Sequence, residues 1–88
     1  MTDHFHLLVY TPARTLADRD VREVTAPAVD GEIGVLPDHA GLMTALAPGV
    51  LTYKADGSVV KLEIGSGFAE VLDNVMTVLA DSGEPLAA

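Results

Sequence analysis

A chain of 88 residues, 49% of them hydrophobic, is long enough to form one domain with its own core and too apolar to be disordered. Its formal net charge of −8, from 13 acidic and five basic residues, argues against binding to nucleic acid or anionic membranes, which requires clustered lysine and arginine. Without cysteine there is no disulfide framework, thiolate nucleophile or cysteine zinc site, and no apolar run approaches the length of a membrane span.

Short apolar runs, taken in chain order, predict strands in the first half of the sequence. The run "HFHLLVYT" at residues 4–11 is closed by Pro12 and predicts a first strand. The two-residue alternation of "DVREVTAP" predicts a half-buried second strand. Asp30-Gly31 then marks a tight turn before a short strand in "IGVLP".

Two hairpins in the second half are marked by their turns. In "GVLTYKADGSVVKLEIG" the dipeptide Asp56-Gly57 separates two runs that alternate apolar and polar residues. The solvated face of this hairpin is predicted to carry Lys54, Lys61 and Glu63. The segment "FAEVLDNVMTVLA" repeats the pattern around Asp73-Asn74, because both of these residues tolerate a positive φ.

Helix is not favoured anywhere in the chain. The segment "TLADRDVREV" lacks a sustained apolar stripe, and "LMTAL" is too short before Pro48-Gly49. We therefore predict an all-β fold, an antiparallel β-sandwich of eight to ten short strands over residues 1–82. Residues 83–88, "GEPLAA", are expected to form a loosely held tail.

Groups that could support catalysis are few. His4 and His6 would point the same way on a strand and could bind a metal, or they could be exposed or interface residues. Ser66 and His39 could be combined with an aspartate into a triad, but "GSGFAE" has neither the nucleophile elbow nor the phosphate-binding glycine pattern. Its glycines are better explained by close approach of strand backbones. We predict no catalytic, cofactor-binding or metal-binding residue.

The stretch "GEIGVLPDHAGLM" places His39 on a loop, where it could bond a nearby carbonyl or contact a partner. Its pattern G-E-I-G-V-L-P-x-H-A-x-L resembles the signature of the epsilon subunit of F-type, rotary ATP synthases. The resemblance runs over residues 5–82, through "LLVYTPARTLADRDVREVTAPAVDGEIGVLPDHAGLMTALAPGVL" and "GSGFAEVLDNVMTVLADS". Gly41 stands where the family usually has proline, and Ser66 where it usually has glycine.

The resemblance implies a non-catalytic, cofactor-free subunit of the central stalk, which docks the gamma subunit to the c-ring and couples proton flow to ATP synthesis. Carried over by position, Asp30 and Glu32 would face the c-ring, and Thr11, His39 and Thr44 would face gamma. The resemblance further implies no contact with nucleic acid or lipid, a monomeric isolated chain, and a peripheral place on the cytoplasmic face of the bacterial inner membrane.

Many family members continue past "VLAD" into a C-terminal two-helix hairpin. A chain that lacks this hairpin is expected neither to act as the inhibitory arm of the family nor to bind nucleotide through it.

Two other functions fit the sequence less well. A biotinyl or lipoyl carrier domain is similarly small, acidic and all-β, but it needs a lysine at a hairpin tip. Here Lys54 and Lys61 fall within strands, and Asp56-Gly57 occupies the tip. A metal-dependent hydrolase would have to assemble His4, His6 and His39 around a metal.

Overall fold

The structure is a computed structural model that describes residues 3–86. Within these residues the chain forms ten β-strands and no helix. Consequently, no helix in this range is available to cross a membrane. The strands are β1 (Phe5–Tyr10), β2 (Thr15–Val21), β3 (Glu23–Ala28), β4 (Gly31–Val35), β5 (Leu42–Leu46), β6 (Gly49–Ala55), β7 (Ser58–Ile64), β8 (Gly67–Leu72), β9 (Val75–Ala80) and β10 (Gly83–Pro85).

The strands form two layers that join at one corner. The first layer has the order β4-β3-β6-β7-β10 and the second has the order β5-β8-β9-β1-β2. A single pairing of Ala28 with Leu46 links β3 to β5, and on the opposite side β2 contacts β6 and β10. The strands therefore curl nearly into a barrel. The all-β fold predicted from the sequence is confirmed, with the parallel pair β1–β9 as an exception to its antiparallel pairing.

The core follows from the two-residue period of the strands. In β1 the residues Phe5, Leu7 and Val9 are buried, and the residues between them are half-exposed. No polar or charged side chain is buried in the described part of the chain, so burial of apolar surface dominates its stability. Each fully buried leucine or valine contributes about 1.5–3 kcal/mol. The largest fully buried side chains are Leu7, Leu51, Leu62, Met76, Val9, Val21, Val24, Val35 and Val78.

Both predicted hairpin turns are present. Asp56 and Gly57 have φ values of 46° and 83°, and Asp73 and Asn74 have φ values of 50° and 61°. Two consecutive residues with positive φ form a type I′ turn, whose twist matches that of the flanking strands. The turns set the registers of β6 with β7 and of β8 with β9. Lys54, Lys61 and Glu63 are exposed, as predicted.

The segment "DVREVTAP" differs from the single strand that its alternation predicts. β2 ends at Val21 and β3 begins at Glu23, so the chain passes between the two layers at Arg22. The backbone N–H of Arg22 donates to the carbonyl of Lys54 at 2.7 Å. Because of this crossing, Val21 and Val24 are both buried although they are three residues apart.

Strand β10 lies within the segment expected to form a loosely held tail. Gly83 pairs with Ile64 and Pro85 with Leu62 at the edge of the first layer. The N–H of Leu86 donates to the carbonyl of Lys61 at 2.9 Å. Residues 87 and 88 of the expected tail, and residues 1 and 2 of the expected domain, lie outside the described residues.

Candidate partner-binding surfaces

The outward side of the second layer is unusually apolar. Strands β8 and β9 turn Ala69, Val71, Met76, Val78 and Ala80 into the core, so the alternate residues point outward. Met43, Phe68 and Leu79 are 71%, 61% and 55% exposed, and Leu72 and Val75 are also exposed. We call these five residues the apolar face.

Cross-strand pairing brings the members of the apolar face together. Phe68 lies directly opposite Leu79 on β9, and Leu72 lies opposite Val75. Met43 on β5 joins them, because a depression of 150 Å³ is lined by Met43, Phe68 and Leu79. The exposed Glu70 and the half-buried Thr77 lie between the Phe68–Leu79 and Leu72–Val75 pairs. Exposed apolar clusters of this kind are typical of a partner-binding site.

The outward side of the first layer is mostly polar. Thr25, Thr52, Lys54 and Lys61 occupy it, and the Nζ of Lys54 lies 3.8 Å from a carboxylate oxygen of Glu23. The exposed apolar residues on its strands β6 and β7 are Val50 and Val59. The outer surfaces of the two layers thus differ in polarity.

An acidic tip lies at one end of the apolar face. The β3–β4 turn has Val29 and Asp30 at its centre, and Gly31, with φ 124°, follows as the first residue of β4. Asp30 and Glu32 are exposed and form the acidic tip. The N–H of Val29 donates to the carbonyl of Ala45 at 3.1 Å, which holds the turn against β5.

Val29 connects the acidic tip to the apolar face. Together with Phe68 and Leu79 it lines a second depression, of 550 Å³. A partner that covers the apolar face would therefore reach the base of the acidic tip.

His39 lies on the loop between β4 and β5. Its N–H donates to the carbonyl of Leu36 at 3.2 Å, and its ring Nδ1 is 2.6 Å from the carbonyl of Ala40. The neighbouring Asp38 is held by Asn74, whose side-chain amide donates to the Asp38 carboxylate at 2.8 Å and accepts from its N–H at 2.6 Å. His39 thus bonds a nearby carbonyl, and its contact with a partner stays a prediction.

The three residues expected to face gamma are spread along the second layer. Thr11 follows the far end of β1, where its hydroxyl accepts from the N–H of Arg14 at 3.1 Å. His39 is near the opposite end, because its neighbour Asp38 bonds Asn74 in the β8–β9 turn. Thr44 is half-buried and lies opposite the buried Ala69, so it shares the core-facing side of β5.

The apolar face was not identified from the sequence. Its signal is weak, because β9 carries apolar residues in both alternating positions and the sequence does not show which set faces the core. In β8, Phe68 and Leu72 flank the buried Ala69 and Val71 in the same way.

The other candidate residues do not converge on a reactive centre. Ser66 is near the β9–β10 connection, where its carbonyl accepts from the N–H of Asp81 at 2.8 Å, whereas His39 is at the other end of the layer. Among residues 3–86, no group of three or more His, Cys, Asp or Glu side chains is arranged to hold a metal. Lys54 and Lys61 lie within β6 and β7, not at the hairpin tip required of a carrier domain.

His4 and His6 make contacts with carboxylates. The Nε2 of His4 is 3.7 Å from Asp56. The ring of His6 contacts Asp20 through Nδ1 at 2.8 Å and Asp18 through Nε2 at 2.6 Å. The pKa of His6 is raised above its ordinary value, first by the hydrogen bond with Asp20 and then by the one with Asp18.

Comparison with known proteins places the chain in a family. A family model described as the beta-sandwich domain of the ATP synthase delta/epsilon chain matches residues 4–86. Proteins named ATP synthase epsilon chain from Carboxydothermus hydrogenoformans and Nitratidesulfovibrio vulgaris are each 45% identical over 84 residues, which are 96% of this chain and 63% of theirs. The chain therefore spans a little less than two thirds of the length of these relatives.

Solved structures of ATP synthases contain similar chains. One, in the Euglena gracilis mitochondrial ATP synthase, superposes with a TM-score of 0.89 at 27% identity, over 97% of this chain and 55% of that one. Another, in the central stalk and c-ring of the Tetrahymena thermophila mitochondrial enzyme, has a TM-score of 0.75 at 18% identity, over 90% and 64% of the two chains, and supports the fold alone. The chain belongs to the family of ATP synthase delta/epsilon chain β-sandwich domains.

Proposed function

We propose that this domain is a non-catalytic part of the central stalk of an F-type ATP synthase, which docks the gamma subunit to the c-ring and so couples proton flow to ATP synthesis. The observation that carries the proposal is the apolar face with the acidic tip at its end. Two different surfaces meeting at one corner suit a subunit that contacts two partners. The epsilon-chain relatives, and the Euglena structure that contains F1 and the c-ring, support this assignment.

The apolar face is the surface proposed for gamma. Fully burying a phenylalanine, leucine or methionine side chain contributes about 1.5–3 kcal/mol, so Met43, Phe68 and Leu79 can supply most of the affinity. The rigid strands that carry them need little ordering on binding, which reduces its entropic cost. Thr11 and His39 are assigned to the margins of this gamma-facing surface, and Thr44, on the core-facing side of β5, is assigned to its support from beneath.

The acidic tip is the surface proposed for the c-ring. Asp30 and Glu32 are exposed and would meet basic groups on the polar loops of the ring. Exposed ion pairs contribute only about 0–1 kcal/mol each, so the tip contributes orientation and specificity more than affinity. In this arrangement the domain lies at the cytoplasmic face of the bacterial inner membrane and reaches it through the ring. It needs no cofactor for this role and is monomeric when isolated.

Charge reversal at Glu32 tests the proposed function. Glu32→Gln should weaken coupling slightly, and Glu32→Lys should weaken it clearly more, because it places like charges opposite each other. The measurement is proton pumping per ATP hydrolysed in membranes that carry each variant in the assembled enzyme. Both variants should fold, since Glu32 is exposed.

Asp3→Lys provides the matched control for the charge change. Asp3 is also exposed, but it precedes β1, at the end of the second layer away from the acidic tip. Asp3→Lys should leave the number of protons pumped per ATP hydrolysed unchanged. If Glu32→Lys preserved coupling and ring association but lowered the melting temperature by many degrees, Glu32 would be a structural residue and the ring-facing assignment would be wrong.

A further inference from the structure

His6 sits between two carboxylates on the outward side of β1. Its Nδ1 is 2.8 Å from Oδ1 of Asp20, and its Nε2 is 2.6 Å from Oδ1 of Asp18. A neutral imidazole has one N–H and can donate to only one of these acceptors, whereas an imidazolium donates to both. The geometry therefore fits the doubly protonated ring.

The charged groups facing this ring come from β2. Asp20 lies directly opposite His6, and Asp18 lies opposite Leu8, one diagonal position away. Arg19 projects to the other side of β2, where its guanidinium carbon is 5.8 Å from the centre of the Tyr53 ring. On β9, the other neighbour of β1, uncharged Val75 lies opposite His6.

The ends of β1 add few charges near His6. In the β8–β9 turn, the carbonyl of Asn74 accepts a hydrogen bond from the backbone N–H of His6 at 2.9 Å. Asp73, the other central residue of this turn, has an exposed side chain. His4, two residues before His6, has its Nε2 3.7 Å from Asp56 of the first layer. Asp18 and Asp20 are therefore the direct partners of the His6 ring.

Strand β2 is the last strand of the second layer, and its ladder hydrogen bonds go to β1. A terminal strand that is bonded on one side is the part of a sheet most easily detached. The two bonds from His6 join the middle of β2 to β1 on the side that also carries the apolar face.

We propose that His6 is a proton-dependent clamp, which ties edge strand β2 to β1 through Asp18 and Asp20 when its ring is charged and releases one of the two carboxylates when the ring is neutral. This inference concerns the folded domain by itself and does not depend on the proposed function. It gives the domain a stability that responds to pH near neutrality, through a group that lies beside Val75 at the edge of the apolar face.

The direction of the pH effect follows from the contacts. Because the pKa of His6 is raised in the folded chain, its contribution to stability is complete below the ordinary histidine value of about 6.5 and is lost as pH rises through the folded-state pKa. The comparison is therefore between pH 5.5 and pH 9.

The test compares melting temperatures of the isolated chain and of His6→Gln at these two pH values. At pH 5.5 the variant should melt about 2–5 °C lower, as expected for a partly exposed pair in a domain of this size. At pH 9 the difference should be smaller, because the neutral ring can donate to only one of the two carboxylates. His39→Gln is the matched control, since the ring of His39 bonds a carbonyl rather than a carboxylate, and it should give the same difference from the parent at both pH values. An equal deficit for His6→Gln at pH 5.5 and pH 9 would overturn the proposal.

A second measurement does not require the variant at His6 to fold. The imidazole of His6 in the parent chain can be titrated by NMR, and its midpoint should lie above about 6.5. The midpoint should fall in the double variant Asp18→Asn/Asp20→Asn. A midpoint that is at or below the ordinary value, or that the double variant leaves unchanged, would contradict the clamp.

Discussion

Phe68→Asp should weaken binding of this chain to the gamma subunit about 100-fold or more while leaving its fold intact. Phe68 is 61% exposed at the end of the apolar face nearest the acidic tip, where it lines a depression together with Met43 and Leu79. The substitution removes the apolar contact and places an unpaired carboxylate in the interface, which together cost about 3 kcal/mol or more. Each 1.4 kcal/mol corresponds to a tenfold change in affinity. The measurement is the Kd for purified gamma by calorimetry.

Val59→Asp is the matched control for this prediction. Val59 is 57% exposed on β7 of the first layer, so it is about as exposed as Phe68 but lies outside the apolar face. It should bind gamma as the parent does. Equal losses of affinity for the two variants, or none for Phe68→Asp, would show that gamma binds elsewhere.

Gly67→Ala should lower the melting temperature by about 10 °C. A Cβ at this position would collide with the backbone carbonyl of Leu79 and lie 2.8 Å from the Cα of Ala80. Gly67 pairs directly with Ala80, so the collision can be relieved only by moving β8 away from β9. Forced shifts of this kind cost about 1–3 kcal/mol or more, and a domain of this size loses about 4–8 °C per kcal/mol.

Gly34→Ala is the comparison for Gly67→Ala. A Cβ at Gly34 would meet no atom within 4 Å, and Gly34 lies in strand β4 without a positive φ. Its replacement should change the melting temperature by only a few degrees and in either direction. Thermal unfolding followed by circular dichroism measures both variants. A small effect for Gly67→Ala would mean that the two strands are not held at this close distance.

The hairpins could be predicted from the sequence because their signals are local. Asp56-Gly57 and Asp73-Asn74 combine residues that accept a positive φ with flanking strands of the correct period. The close approach of strands at Gly67 was also predicted, since a glycine inside a strand pattern often marks such a contact. The exposure of Asp30 and Glu32 followed from their place beside a turn.

The pairings that join distant segments could not be predicted in this way. β1 and β9 are parallel neighbours although most of the chain separates them, and no local pattern specifies that contact. β10 contains Gly83 and Pro85, both poor strand formers, and it forms because β7 offers an unpaired edge. The β1–β9 pairing and strand β10 are therefore both determined by tertiary contacts.

The candidate surfaces were predictable only in part. The resemblance implies that Thr44 faces gamma. In the structure its neighbour Met43 is the residue that projects outward from β5, with 71% of its surface exposed. The contacts of His6 with Asp18 and Asp20 depend on the register of β1 against β2. A spacing of two residues between His4 and His6 could not reveal that register.

In the proposed arrangement the apolar face meets gamma and the acidic tip meets the c-ring. Because the chain contains no cysteine, single substitutions Met43→Cys, Glu32→Cys and Val59→Cys can each carry one photo-crosslinker. The measurement is the identity of the subunit attached to each probe, determined by mass spectrometry after illumination of the assembled enzyme. The proposed arrangement predicts gamma for Met43, a c subunit for Glu32 and neither for Val59. Attachment of gamma or c at Val59, with none at Met43 and Glu32, would contradict it.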